Sequence, residues 1–118
     1  MDLSLIHTLM LLLFCHFLFD FPLQGDYTAL FKNPWHNSYN PIWVWPMTSH
    51  CVLHSVPVYL ITGDFYLVAF MFLSHFMIDF IKCWNKISYH VDQALHLLVI
   101  VFIALESSGM FNGHLKAF

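Results

Sequence analysis

Four long apolar runs alternate with polar connections along this chain. The runs cover roughly residues 3–21, 42–61, 65–81 and 91–105. A membrane-crossing helix needs about 20 mostly apolar residues. Each run is therefore read as a transmembrane helix, and the expected fold is all-α, a four-helix transmembrane bundle forming one integral membrane domain over residues 1–118.

The connections set the topology. The long one, Gln24 to Pro41, carries Gly25, Pro34 and several asparagines, and reads as a loop. Its Trp35 and Tyr39, with Trp43 and Trp45 beyond, suggest an aromatic belt at a membrane interface. Thr62-Gly63-Asp64 is a tight turn that makes the second and third helices antiparallel neighbours. Trp84 to His90 joins the third helix to the fourth, and the polar tail from Glu106 onward is expected to fray. Pro46 and Pro57 predict a late start and a kink in the second helix. All four glycines fall in connections or the tail, so no G-x-x-x-G packing face exists.

Composition strengthens the membrane expectation. The chain is 59% hydrophobic and only 9% charged, where a soluble domain carries about a quarter. It has no arginine, and Lys32, Lys82, Lys86 and Lys116 all lie at or beyond the ends of apolar runs. A formal net charge of −3 without a basic stripe excludes a nucleic-acid partner. Asp2 in place of a basic n-region, with no small-residue cleavage site, predicts that the first apolar run is retained rather than removed as a signal peptide. Cys15, Cys51 and Cys83 are isolated and read as small buried hydrophobes.

Against this apolar background the ionisable residues stand out. Three stretches place a histidine four residues before a second metal-capable side chain: His16/Asp20, His50/His54 and His75/Asp79. A fourth, Asp92/His96, reverses the order. Residues four apart share one helix face. Topology then brings the pairs to one level. His16 and Asp20 end the first helix, His50 and His54 follow the start of the second, His75 and Asp79 come late in the third, and Asp92 and His96 early in the fourth. All eight fall in the half of the bundle nearer the long connection. Lys32, Lys82 and Lys86 mark that end against Lys116 alone at the other, so the positive-inside tendency puts the cluster toward the cytoplasmic leaflet of the inner membrane.

Five histidines and three aspartates facing one another in a bundle are the materials of a metal site. Imidazole and carboxylate suit zinc first, with iron or manganese as alternatives. Eight ligands suffice for one or two divalent ions, with Asp20, Asp79 or Asp92 as bridges or as a general base toward bound water. Gln24, one turn beyond Asp20, and Gln93, beside Asp92, are candidates to orient a ligand or substrate. Lys82, three residues after Asp79, is placed for a helical ion pair, for snorkelling to the interface, or for an anion. His7, His36, His90 and His114 are read as incidental. No H-E-x-x-H, G-x-S-x-G, Walker or dinucleotide-binding glycine motif is present.

With these residues in view, the chain resembles the domain-of-unknown-function 3307 family of small membrane proteins. The resemblance rests on residues 16–24, Lys32, His50 to His54 with Tyr59, residues 75–82 and residues 92–96. It implies a polytopic membrane protein and supplies no activity. A looser similarity of style links the pattern to membrane-bound metal-dependent hydrolases. The function expected is metal-dependent hydrolysis of a lipid-like or phosphate-bearing substrate arriving from the membrane. The alternatives are a proton or divalent-cation relay using the same residues, and a non-catalytic interaction protein with a structural polar core. Membrane lipid is the expected partner, with a homo-oligomer allowed and no protein partner legible.

Overall fold

The computed structural model describes residues 3–109. His114 and Lys116 lie outside that range, and with them part of the lysine asymmetry used to orient the bundle.

Among the described residues the chain is all α, with helices α1 (Leu3–Asp20), α2 (Asp26–Phe31), α3 (Val44–Thr62), α4 (Phe65–Cys83) and α5 (Tyr89–Ser107) and no strand. Four of these are the long helices expected from the apolar runs. The fifth, α2, corrects the reading of residues 24–41 as a plain loop. Gly25 takes a positive φ of 77° and the next residue, Asp26, sits in the first helical turn, where a negative side chain suits the helix dipole. Six residues are too short to produce a period visible among asparagines and prolines.

Capping explains the other boundaries. Gly63 closes α3 in the left-handed region at φ 67°, its N–H donating to Tyr59 O at 2.8 Å. Asp64 then caps α4, its Oδ1 accepting from the N–H groups of Tyr66 at 2.9 Å and Leu67 at 3.4 Å. Ser88 Oγ accepts from Val91 N at 3.1 Å and starts α5 two residues earlier than the apolar run suggests, so His90 is helical rather than in a connection. At its other end α5 runs on to Ser107, and Glu106 is buried, not part of a fraying tail. α3 begins at Val44 and continues through Pro57.

The long helices close a ring in the order α1, α3, α4, α5, each packed on two neighbours, and α2 leans on α3. Their inward faces share a simple plan. On α1 the four-residue steps read Leu12, His16, Asp20; on α3, backward from the turn, Val58, His54, His50; on α4, Met71, His75, Asp79; and on α5, backward, Ile100, His96, Asp92. Leu12, Val58, Met71 and Ile100 join Leu5, Leu67, Ile103 and Ala104 in one apolar core. One helical turn further along, every face becomes ionisable. A smaller cluster of Met47, Cys51 and Cys83 packs with Trp43, Phe72, Phe76 and Phe80 between α3 and α4. All three cysteines are free thiols. Of the expected aromatic belt, Trp35 stacks on Trp84 with ring centroids 5.7 Å apart and Trp43 packs on Phe80, while Tyr39 and Trp45 stay exposed.

The outer faces are apolar. Met10, Phe14, Leu60, Phe65, Leu73 and Leu98 are all exposed, whereas five histidines and two aspartates of the cluster are buried. α4 and α5 are each long and apolar enough to cross a membrane, and α1 is a shorter apolar helix.

Candidate metal centre

All eight motif residues reach one place. His50 lies at 0% exposure and His75 at 1%, with His16, His54, Asp79, Asp92 and His96 also buried. His75 occupies the centre. Its ring lies 3.9 Å from that of His54, 4.2 Å from His96, 5.0 Å from His50 and 6.5 Å from His16, measured between centroids.

The carboxylates meet this imidazole cluster from the end nearer α2. Asp20 Oδ1 lies 3.3 Å from His50 Nε2 and 3.5 Å from His54 Nε2. Both contacts are at ion-pair distance but miss the angles of a hydrogen bond. Asp20 Oδ2 accepts instead from Gln93 Nε2 at 2.7 Å. Asp92 Oδ1 is 3.4 Å from His96 Nε2 and is itself a buried oxygen without a hydrogen bond. His16 Nε2 pairs with Gln93 Oε1 at 3.1 Å. Gln93 therefore ties α5 to both the histidine and the aspartate of α1.

Two groups of donor atoms are close enough to converge on an ion. One atom from each of Asp20, His50, His54 and His75 lies within 4.8 Å of the others, and so does one from each of Asp79, Asp92 and His96. His16 falls in neither group. Both ring nitrogens of His50 and of His75 are buried without a hydrogen-bond partner, as is His54 Nε2. Buried polar atoms are normally paired. A cation accepting one lone pair from each ring, with the carboxylate of Asp20 beside them, would use one nitrogen of each imidazole, so the donor set fits a divalent metal.

A family profile described as "Protein of unknown function (DUF3307)" matches residues 8–118. The chain belongs to that family. The match spans all four histidine-containing pairs, α2 and the turn at Gly63. No curated protein and no solved structure matches the chain.

In this DUF3307 member a residue outside the four-residue pairs also enters the centre. Lys32, just past the end of α2, is 4% exposed. Its Nζ donates to Asp79 Oδ2 at 2.7 Å and to Gln24 Oε1 at 2.6 Å, while Gln24 Nε2 holds Asp20 O at 3.1 Å. The ion partner of Asp79 is thus Lys32 and not Lys82, the helical pair that spacing alone suggested. Lys82 turns away, its Nζ 5.8 Å from the centre of the Tyr89 ring. Spacing could not find Lys32, because a lysine 47 residues from its partner has no period. Burial disfavours the Lys32 charge, but the attraction and hydrogen bond of Asp79 outweigh it and hold the ammonium above its ordinary pKa.

The charges do not balance. Asp20, Asp79 and Asp92 bring three negative charges against the single positive charge of Lys32, leaving two uncompensated if the imidazoles are neutral. Buried charge without a partner is costly. One divalent cation would neutralise the cluster.

A polar mouth of about 160 Å³ opens from the cluster toward the α2 end, lined by Asp20, Asp79, Asp92, Gln24, Gln93 and both Lys32 and Lys82, with Phe21 and Tyr89 at its rim. Toward the Gly63 end, a void of about 10 Å³ beside His16 and His54 precedes the apolar core. A larger groove of about 570 Å³ between α3 and α4 is apolar but for Ser55, whose hydroxyl donates to Cys51 O, and it lies apart from the ionisable cluster. His7 and His90 are exposed, and His36 sits beside Phe31; all three stay outside the centre.

Proposed function

We propose that this chain is an integral membrane metal-binding protein that uses its ion to hydrolyse a lipid-like, phosphate-bearing substrate. The observation that carries the reading is the convergence of donor atoms from Asp20, His50, His54 and His75 within 4.8 Å of one another, with both His75 nitrogens buried without a hydrogen-bond partner. A purely structural polar core would pair those atoms with one another. These residues would hold one divalent ion, zinc first and iron or manganese as alternatives. The second group would hold another only by displacing Lys32 from Asp79.

The membrane placement rests on the distribution of polarity. Ionisable groups gather in one buried layer beside an apolar core, large apolar side chains cover the outside, and α4 and α5 have the length and hydropathy of spans. In this reading α1 and α3 cross beside them as a four-helix bundle. Lys32, Lys82 and Lys86 put the mouth toward the cytoplasmic side of the inner membrane.

A bound ion lowers the pKa of water and polarises the scissile group. The residues around it divide the remaining work. Asp20 is engaged by Gln93 and faces two histidines, and Asp79 is fixed by Lys32. Asp92 Oδ2 accepts from Gln93 Nε2 at 3.2 Å while its Oδ1 is buried without a hydrogen bond, so in this reading Asp92 is the base that takes the proton of the attacking water. Water then adds its hydroxyl to the ester centre, the ester C–O or P–O bond breaks, and the proton passes from Asp92 to the departing alkoxide, giving an acid and an alcohol. A relay across the membrane is less well supported, because Leu12, Val58, Met71 and Ile100 close the bundle one turn beyond the histidines.

Elemental mass spectrometry of detergent-purified protein tests the reading. We expect one metal equivalent, or two if Lys32 yields, and loss of that metal in His54→Ala and His75→Ala. A metal-free native protein that takes up no zinc, iron or manganese on addition would sink it.

A further inference from the structure

The mouth above the cluster has features that the metal reading does not use. Lys82 lines it, yet among the described residues its ammonium has no hydrogen-bond or ion partner and meets only the edge of the site at Tyr89. Two of the carboxylates there are turned to other work, Asp20 to Gln93 and Asp79 to Lys32, and Asp92 Oδ2 accepts from Gln93. A void of about 160 Å³ is the size of a small headgroup and too small for an acyl chain. Its rim, however, is continuous with apolar surface. Phe21 lines both the mouth and a shallow groove of about 370 Å³ on the outer face of α1, formed with Phe14, Phe17, Leu18 and Pro22.

We infer that the mouth and the α1 groove together form the binding site of one membrane lipid with a terminal phosphate. The phosphate sits between Lys82 and the ion, and an acyl chain leaves past Phe21 along Phe17 and Phe14. The inference rests on the metal reading, since the mouth residues alone carry three negative and two positive charges. One divalent ion makes that balance positive and lets an anion enter. A lysine ammonium and an ion below it give a phosphate two charged partners. A neutral diacylglycerol would use only the groove. Free phosphate would use only the mouth and lose the apolar contact.

The test uses metal-loaded, detergent-purified full-length protein, with metal content read on the same sample. Native mass spectrometry would count bound dioctanoyl phosphatidic acid against dioctanoylglycerol and inorganic phosphate. One phosphatidic acid per chain is expected, bound at least tenfold more tightly than either control. Lys82→Gln should weaken phosphatidic acid about tenfold, and Lys82→Arg should largely restore it. Phe17→Asn should weaken phosphatidic acid while leaving inorganic phosphate unchanged. Metal content should match the native protein in all three variants, which also shows that they fold. A metal-loaded protein that binds dioctanoylglycerol equally well, or is indifferent to Lys82→Gln, overturns this lipid site and leaves the metal centre standing. A protein that holds no metal overturns both.

Discussion

At the scale of single residues, the centre divides its aspartates by partner. Asp92, with its unpaired oxygen, is the residue whose loss should separate chemistry from metal binding. Asp92→Asn should keep the ion held by Asp20, His50, His54 and His75 and lower turnover by about 10²–10⁴, the usual worth of a general base. Metal analysis and a lipid-phosphate hydrolysis assay on one preparation would read both. Lys32 makes the opposite prediction. Lys32→Met leaves Asp79 as an uncompensated buried charge and should cost about 3–5 kcal/mol in thermal unfolding, with most of that recovered in the Lys32→Met/Asp79→Asn double variant. Because folding raises the Lys32 pKa, the pair contributes fully below the ordinary lysine value of about 10.4 and is lost only as pH rises through the raised one. The cost of Lys32→Met should therefore be the same at pH 7 and pH 9. A clear fall between them would contradict the pairing.

At the scale of elements, the caps and turns hold the helices in the register that the centre needs. Gly63 and Asp64 make α3 and α4 antiparallel within three residues, so that His54 and His75 meet ring to ring across the interface. Asp64→Ala removes the cap of α4 and should cost about 1 kcal/mol. Its distance from the histidines means that metal content should stay unchanged while the unfolding midpoint falls. α2 is the element with the largest effect for its length. Six residues carry Lys32 from the far side of a polar connection into contact with Asp79. A fold assembled only from the four long helices would leave that aspartate bare.

At the scale of the whole molecule, polarity is inverted relative to a protein in water. One layer of the interior holds histidine, aspartate and lysine beside an apolar core, and the exterior holds leucine, phenylalanine and methionine. Such a surface is expected to stay with the membrane pellet through an alkaline carbonate wash and to leave it only in detergent. Release by carbonate would remove the membrane reading. The closure of the bundle by apolar residues at one end, and the mouth at the other, makes the centre one-sided, which suits a reaction fed from the bilayer better than conduction.

The pattern of residues along the chain determined the four long helices, the antiparallel turn at Gly63, and the level at which the four ionisable pairs meet. Those features depend on local periods: four-residue steps, apolar runs, and glycine or aspartate at a boundary. The helix α2, the extension of α5 past Glu106, and the pairing of Lys32 with Asp79 in place of Lys82 were decided only in three dimensions. So were the division of the donors into two groups, with His16 left to Gln93, and the buried, unpaired Oδ1 of Asp92. Each of those depends on contacts between residues far apart in sequence, which helical periodicity does not encode and packing does.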